Sequence, residues 1–485
     1  MSFPGVLDID WNVMAPAVSL LITAIVALVF GLSARDSRGP AAVALIGVLT
    51  AGIFAVAHLF SGNESAASFG LRYLGDVPAT ALTLVILLGT AMAILVSWDQ
   101  LERGGMGQPE YYPLMLLSAL GAVVMASAGD LITLILGLEI MSLPAYALSA
   151  WRTRDRQSEE AGMKYFLLGA FGSAMLIYGT ALLYGASGSF VYGAVAAALQ
   201  GGNLTLLATA GGALVLAGLG FKAALAPFHQ WAPDVYTGAP TVVVTFMSVV
   251  IKVGAFAALL RIAATVFPAL QPWLLTALAV IVALTLVVGN FTALMQRGLK
   301  RMLAYSSVAH AGYLGLALLA ANHGGVAAAA FYLSVYALMN AGAFAVLTLV
   351  TDASDHGDDL ERFAGLGRTR PGLAAAMAVF MLSLGGIPLL GGFTGKVLVF
   401  QATIDAGHVW LAVLGIATSV VALFYYFRVI AYMYFRESSH APHTFRSTPA
   451  RVAIAVALVG TVLLGILPGW WHTLLSVGPR FLAGY

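Results

Sequence analysis

The chain has 485 residues, of which 60% are hydrophobic and only 9% charged, and its mean hydropathy is +0.93. A soluble fold carries roughly 25% charged residues, so this chain cannot cover a water-facing surface of its size and reads as a polytopic membrane protein. The formal net charge of +2 points to no nucleic acid, and the lack of any cysteine excludes iron–sulfur clusters, thiolate zinc sites, c-type haem attachment and disulfides in this chain.

The apolar runs last about 20 residues, the length a helix needs to cross ~30 Å of hydrocarbon. A membrane β-barrel alternates apolar and polar residues and is ruled out by these runs. The expected fold is therefore all-α, with about 14 spans separated by Gly, Pro and clustered charge. In chain order they fall near 12–32, 41–60, 79–98, 112–128, 130–151, 161–186, 205–237, 240–265, 272–295, 301–321, 325–351, 372–405, 409–435 and 450–471. The first basic residue is Arg35, so the opening apolar run lacks the pattern of a cleaved signal peptide and is expected to stay as a span. The seventh and twelfth spans are too long and broken inside, at Ala226-Pro227 and at Gly386-Ile387-Pro388.

Fifteen basic residues fall on alternate loops beginning with the one after the first span, whereas Arg72, Arg261 and Arg480 fall on the other face. That asymmetry places the first set in the cytoplasm and both termini outside. A weak internal repeat is visible at an offset of 165: Leu219-Gly220-Phe221-Lys222 and Phe228 correspond to Leu384-Gly385-Gly386-Ile387 and Phe393. The expected organisation is an N-terminal three-helix segment (1–111), a first inverted five-helix repeat (112–265), a second (272–435), and a C-terminal helix and tail (436–485). Each repeat carries one discontinuous helix, as in transporters.

Five basic residues lie within the spans: Lys164, Lys222, Lys252, Lys396 and Arg428. Of the five lysines in the chain only Lys300 is expected in a loop. Glu139 is the one carboxylate expected deep in a span, about 13 Å past Asp130 at 1.5 Å per residue. A charge at that depth costs roughly 2.5–3.5 kcal/mol on insertion scales, and glutamine would meet a purely structural need more cheaply. Glu139 therefore reads as a protonatable centre, with an interhelical hydrogen bond as the competing reading. Lys222, just before the first break, and Lys252, near mid-depth, are desolvated amines able to exchange protons near neutral pH. Pairing of Glu139 with such a lysine is a physical switch for proton uptake and release. Lys164 sits close to the basic loop, where snorkelling competes with a relay role.

Lys396 follows the second break, where an opened helix admits water. Its Gly391-Gly392-Phe393-Thr394-Gly395-Lys396 context is no phosphate loop, because Leu390 stands where glycine is required and Val397 where Ser or Thr should follow. His229, Tyr305 and His310 are possible relay groups, with a histidine satisfied by a backbone carbonyl as the alternative. Arg428 among Phe424, Tyr425, Tyr426, Tyr432 and Tyr434 reads as an interfacial belt. No metal site is expected, and the scatter of the nine histidines over loops and helix ends argues against haem.

The segments Gly137-Leu138-Glu139-Ile140-Met141-Ser142-Leu143-Pro144, Ala161-Gly162-Met163-Lys164-Tyr165-Phe166 and Pro227-Phe228-His229-Gln230-Trp231-Ala232-Pro233-Asp234-Val235-Tyr236 carry a resemblance. Together with Lys300-Arg301-Met302-Leu303-Ala304-Tyr305-Ser306-Ser307 and Ser383-Leu384-Gly385-Gly386-Ile387-Pro388, they resemble the antiporter-like subunits of respiratory complex I and the Mrp-type cation/proton antiporters. The resemblance spans about residues 110–435. It implies 14 helices with two inverted repeats, proton translocation coupled to quinone reduction elsewhere in a multi-subunit complex, and a bacterial cytoplasmic membrane. It places Glu139, Lys222, Lys252 and Lys396 on the family's proton path, with Lys164 and His229 also matching. It further implies that flavin, iron–sulfur clusters and quinone belong to partner subunits, and that this chain holds no cofactor and binds other membrane-arm subunits. Among those subunits, a lysine at 396 and a short tail set this chain apart from members with glutamate there or with a long lateral helix. A Na⁺/H⁺ antiporter subunit is the nearest alternative, though a sodium site wants clustered carboxylates. A structural subunit whose buried charges only fix helix packing is the other.

Overall fold

The computed structural model describes residues 8–61, 66–200, 206–270, 272–351, 359–437 and 444–469, and these are overwhelmingly helical. The first segment holds α1 (Trp11–Ser33), α2 (Arg38–Leu59), a hairpin of β1 (Ala67–Ser68) antiparallel to β2 (Tyr73–Leu74), α3 (Val77–Ser97) and the short α4 (Gln100–Arg103). Next come α5 (Tyr111–Ser127), α6 (Leu131–Ser149), α7 (Arg156–Ser187), α8 (Tyr192–Gln200), α9 (Leu206–Lys222), α10 (Trp231–Gly238), α11 (Thr241–Phe246) and α12 (Lys252–Thr265). The remainder is α13 (Pro272–Leu294), α14 (Leu299–Leu319), α15 (Val326–Val350), α16 (Leu366–Thr369), α17 (Pro371–Gly385), α18 (Gly391–Asp405), α19 (Val409–Phe435) and α20 (Thr448–Ile466). Among the described residues, eleven helical segments are long and apolar enough to cross a membrane, and α5, α9 and α17 are shorter apolar helices.

Local chemistry sets the helix starts. The side chains of Asp10, Asp76, Asp130, Asp155 and Ser447 each accept a backbone N–H in the first turn that follows, satisfying a donor with no intrahelical partner. The Asp155 cap starts α7 at Arg156, five residues before the hydropathy boundary. Small residues set the spacing of neighbours: a Cβ on Gly218 of α9 would stand 2.7 Å from the Gly172 carbonyl of α7, so the two backbones pack in direct contact.

The centre of the molecule is built from the segments Thr241–Ala269 and Ala321–Val350, whose apolar windows are wholly enclosed, and from α14 between them. In contrast, α1, α2 and α20 lie at the perimeter, with apolar side chains such as Leu32, Ile53 and Val459 exposed. One departure from the sequence reading lies in this centre. Residues Met247–Ile251 form a π-helical turn, which widens the helix just before Lys252. An exposed kink at His323 and Gly324 links α14 to α15, in the gap expected between the spans 301–321 and 325–351.

Three expected placements are corrected. Lys300 is not on a loop: α14 begins at Leu299, Lys300 is 3% exposed, and its Nζ donates to the Ala239 carbonyl at 2.7 Å. Arg261 is not on a wetted outer face, because its guanidinium closes on the equally buried Asp76, a carboxylate more enclosed than the half-buried Glu139. Tyr425 and Tyr426 are not an interfacial belt. They occupy the inward stripe of α19 with Ala422, Val429 and Met433, while Arg428 donates to the carbonyls of Leu294 and Gln296 at the end of α13.

Candidate functional site: buried lysines at helix breaks

The first break separates α9 from α10, and Lys222 is the last residue of α9. Its Nζ is buried, makes no hydrogen bond, and lies 5.0 Å from the ring centre of Tyr146 and 4.8 Å from that of Tyr165. Tyr165 is itself stacked on Trp231 at 4.5 Å. Two ring faces thus supply the negative potential that the ammonium would otherwise take from an anion. Glu139 lies on α6 two turns before Tyr146. It is half-buried near the perimeter, its Oε1 is enclosed without a partner, and no carboxylate of the described residues comes within 4 Å of Lys222 Nζ. The expected Glu139–Lys222 contact is therefore not closed in this conformation.

Lys164 stands apart from those rings. It is half exposed and bonded to Glu160 at 2.7 Å and Asp234 at 2.9 Å, and Asp234 also takes Arg301 at 2.9 Å. This cluster ties α7, α10 and α14 at one rim of the molecule. Tyr305 lies beneath the Arg301 guanidinium, and its ring is 6.5 Å from that of His229. His229 is half-buried, with an enclosed and unpartnered Nδ1. Both groups therefore sit next to the rim cluster.

Lys252 opens α12 immediately after the π-helical turn and is buried at the centre. Its Nζ donates to the Ser307 carbonyl of α14 and faces the Tyr336 ring at 5.2 Å. The Tyr336 hydroxyl donates to Ser307 Oγ at 2.9 Å, and Ser307 also faces Tyr236. His310, one turn further along α14, is bonded through Nδ1 to the Tyr332 hydroxyl at 2.6 Å and through Nε2 to that of Tyr426 at 3.1 Å. Tyr426 in turn shares a 2.5 Å hydrogen bond with Ser306. The Tyr313 ring completes the series, 5.7 Å from His310 and 4.8 Å from Lys396 Nζ.

Lys396 lies in the second turn of α18, just past the second break, and is 3% exposed. Its Nζ donates to the carbonyls of Leu384 and Gly385, each at 3.0 Å, and to Ser419 Oγ at 2.8 Å. Of the expected residues, the structure thus brings Lys252, His310 and Lys396 onto one internal axis, while Lys222 lies apart between Tyr146 and Tyr165, and Lys164 and Tyr305 lie towards the rim. The sequence reading missed Tyr332, Tyr336 and Tyr426 on that axis. The spacing of Ala422, Tyr425, Tyr426, Val429 and Met433 is a helical face and was the available signal for Tyr426.

Buried ammonium groups beside interrupted helices, joined by hydroxyl and imidazole groups in an apolar bundle, define an ion-translocating class of membrane protein. The model of the NADH:quinone oxidoreductase/Mrp antiporter transmembrane family matches residues 128–422. The NADH-quinone oxidoreductase subunit N of Trichlorobacter lovleyi is 40% identical, over 95% of this chain and 95% of its own length. A chain in the solved respiratory complex I of Thermus thermophilus with bound aureothin is 39% identical, covering 94% of this chain and 98% of that one at a TM-score of 0.81. The fold also matches a chain of the Mrp complex from a Dietzia species, 22% identical with a TM-score of 0.85 over 97% of each. The chain belongs to the NADH:quinone oxidoreductase/Mrp antiporter transmembrane family, and within it to the NADH-quinone oxidoreductase subunit N group.

Proposed function

We propose that this chain is a proton-translocating membrane-arm subunit of NADH:quinone oxidoreductase. It moves protons through Glu139, Lys222, Lys252 and Lys396 while NADH oxidation and quinone reduction take place on partner subunits carrying flavin and iron–sulfur clusters. The observation that carries this reading is the internal axis of Lys252, Ser307, His310, Tyr332, Tyr426 and Lys396, a series of proton-bearing groups held in an apolar interior where each is costly to bury. Lys164, His229 and Tyr305 would connect Lys222 with the cytoplasmic rim.

The proposed architecture has 14 spans, with α9–α10 and α17–α18 each counted as one broken helix and α11–α12 as one bulged helix. Two inverted repeats at 112–265 and 272–435 follow, each with its fourth span broken, between an N-terminal three-helix segment (1–111) and a C-terminal helix and tail (436–485). The excess of arginine on one set of loops supports a multi-pass subunit of the bacterial cytoplasmic membrane with both termini outside.

The test is Lys252→Met in the assembled complex, reconstituted in proteoliposomes and driven by NADH and a soluble quinone. The expected result is loss of proton translocation with assembly intact on a native gel. An unchanged ratio of protons moved to NADH oxidised would reject the reading. Proton movement that required sodium would favour an Mrp-type exchange instead.

A further inference from the structure

Lys396 reaches back from α18 across the break to the end of α17. The two carbonyls that it caps are left open by the chain itself. Leu384 would bond the amide four residues on, but that residue is Pro388, which has no N–H. The chain turns away at Gly386 with φ +87°, and a Cβ there would meet Lys396 Cδ at 3.0 Å and Nζ at 3.1 Å. The lysine stem therefore lies across the glycine, and both features of the break serve the same contact. With Ser419 of α19 as third acceptor, all three N–H groups of the ammonium are used. A cation at this position also complements the negative end of α17.

The first break is closed in the same way by a different side chain. The offset of 165 that aligns Leu219 with Leu384 and Phe228 with Phe393 also aligns Trp231 with Lys396. Trp231 Nε1 donates back across its break to the Phe221 carbonyl at 2.9 Å. An indole N–H is a donor that no physiological pH removes, whereas the Lys396 ammonium has a proton to lose. The titratable group facing Lys396 Nζ is Tyr313 of α14, behind which stand His310 of α14 and its partners Tyr332 of α15 and Tyr426 of α19, with Tyr425 of α19 turned to Asn290, and no described carboxylate lies within 4 Å. The ends of α17 and α20 that pack here bring no titratable side chain.

We propose that Lys396 is a proton-dependent staple of the second helix break: charged, it holds α17 to α18 and α19, and neutral, it lets them part. The neutral amine keeps two N–H groups and a lone pair against three oxygen acceptors, so one acceptor is lost and the attraction to the end of α17 goes with it. The second break would thus open when Lys396 releases its proton, while the first stays closed at Trp231. This deepens the proposed function and rests on Lys396 being a proton-exchanging group.

The chain contains no cysteine, so a single Leu384→Cys substitution reports on the break against no background in this chain. Leu384 is fully buried, and labelling by a membrane-permeant maleimide is measured on this subunit after separation from the assembled complex. Lys396→Met removes all three donors and the charge and is expected to raise the labelling rate at Leu384→Cys by at least about tenfold, the change that loss of even one hydrogen bond to a charged group brings. Lys396→Arg keeps the charge and donors and should leave it protected. Leu219→Cys, at the first break, should be indifferent to either change. Equal labelling in the Met and Arg variants would overturn the staple, whatever the pumping. Normal proton translocation by Lys396→Arg would instead overturn the carrier reading and with it the proton dependence, while leaving the contact across the break standing. Should Lys396→Met not assemble, Ser419→Ala removes one acceptor with the lysine in place. A smaller rise in labelling is then expected, and no rise overturns the proposal.

Discussion

Asp76 and Arg261 form a two-bonded ion pair enclosed by protein: Nη1 meets Oδ2 at 2.6 Å and Nη2 meets Oδ1 at 2.9 Å, with each residue 1% exposed. Asp76 also caps α3, and Arg261 reaches the Ala126 carbonyl near the end of α5. Arg261 lies nine residues beyond Lys252 on α12, so this pair anchors the C-terminal part of the helix that carries the central lysine.

Removing one partner leaves a buried charge uncompensated, which costs about 3–5 kcal/mol. Arg261→Met is therefore expected to reduce the amount of assembled subunit and to lower its melting temperature. Asp76→Asn keeps the cap on α3 and should be milder. Native gels and thermal melts of the purified complex measure both, and a fully stable Arg261→Met would mean that the pair contributes nothing net to the fold.

Glu139→Ala is expected to lower both proton translocation and coupled quinone reduction in a fully assembled complex. Its carboxylate is half-buried with one oxygen enclosed and unpartnered, a cost that a packing role alone does not explain. Normal pumping in an assembled Glu139→Ala complex would reduce the residue to a structural one.

The helices and both breaks were legible in the sequence because the bilayer imposes length and apolarity, and because Pro and Gly interrupt a helix by their own covalent structure. Glu139, Lys222, Lys252 and Lys396 stood out for the same reason, as charges inside apolar runs. The π-helical turn at Met247–Ile251 was not legible, since Met-Ser-Val-Val-Ile contains no residue that breaks a helix. Nor was the Asp76–Arg261 pair, whose members are 185 residues apart and each close to a span boundary. Lys300 was misplaced because Gly298 starts α14 two residues earlier than hydropathy suggested. Tyr426 was misread because tyrosines near a span end resemble an interfacial belt until their helical face is followed inward.

His310→Phe preserves the ring shape and removes both bonds of the imidazole. Tyr426 retains Ser306, but the Tyr332 hydroxyl is left without its imidazole partner, at a cost of about 1–3 kcal/mol. The single variant should lose stability and proton translocation together. Adding Tyr332→Phe removes the orphaned hydroxyl and should restore the melting temperature without restoring pumping. Recovery of both would show that His310 serves packing and not proton transfer.

Lys222→Arg separates a proton carrier from a fixed charge. The Lys222 site is a pair of tyrosine faces, Tyr146 and Tyr165, and a planar guanidinium also binds such faces well. Arginine can therefore keep the charge in place, yet it stays protonated in essentially any protein site. A lysine held by ring faces alone, with no carboxylate within 4 Å, can release its proton without breaking an ion pair. Lys222→Arg and Lys222→Met should for that reason fail alike in proton translocation, although one retains the charge and the other removes it. The comparison is made in reconstituted vesicles with assembly matched by native gel. Wild-type pumping by the Arg variant beside failure of the Met variant would make Lys222 an electrostatic anchor for Glu139, and the proton would then have to pass it by another route.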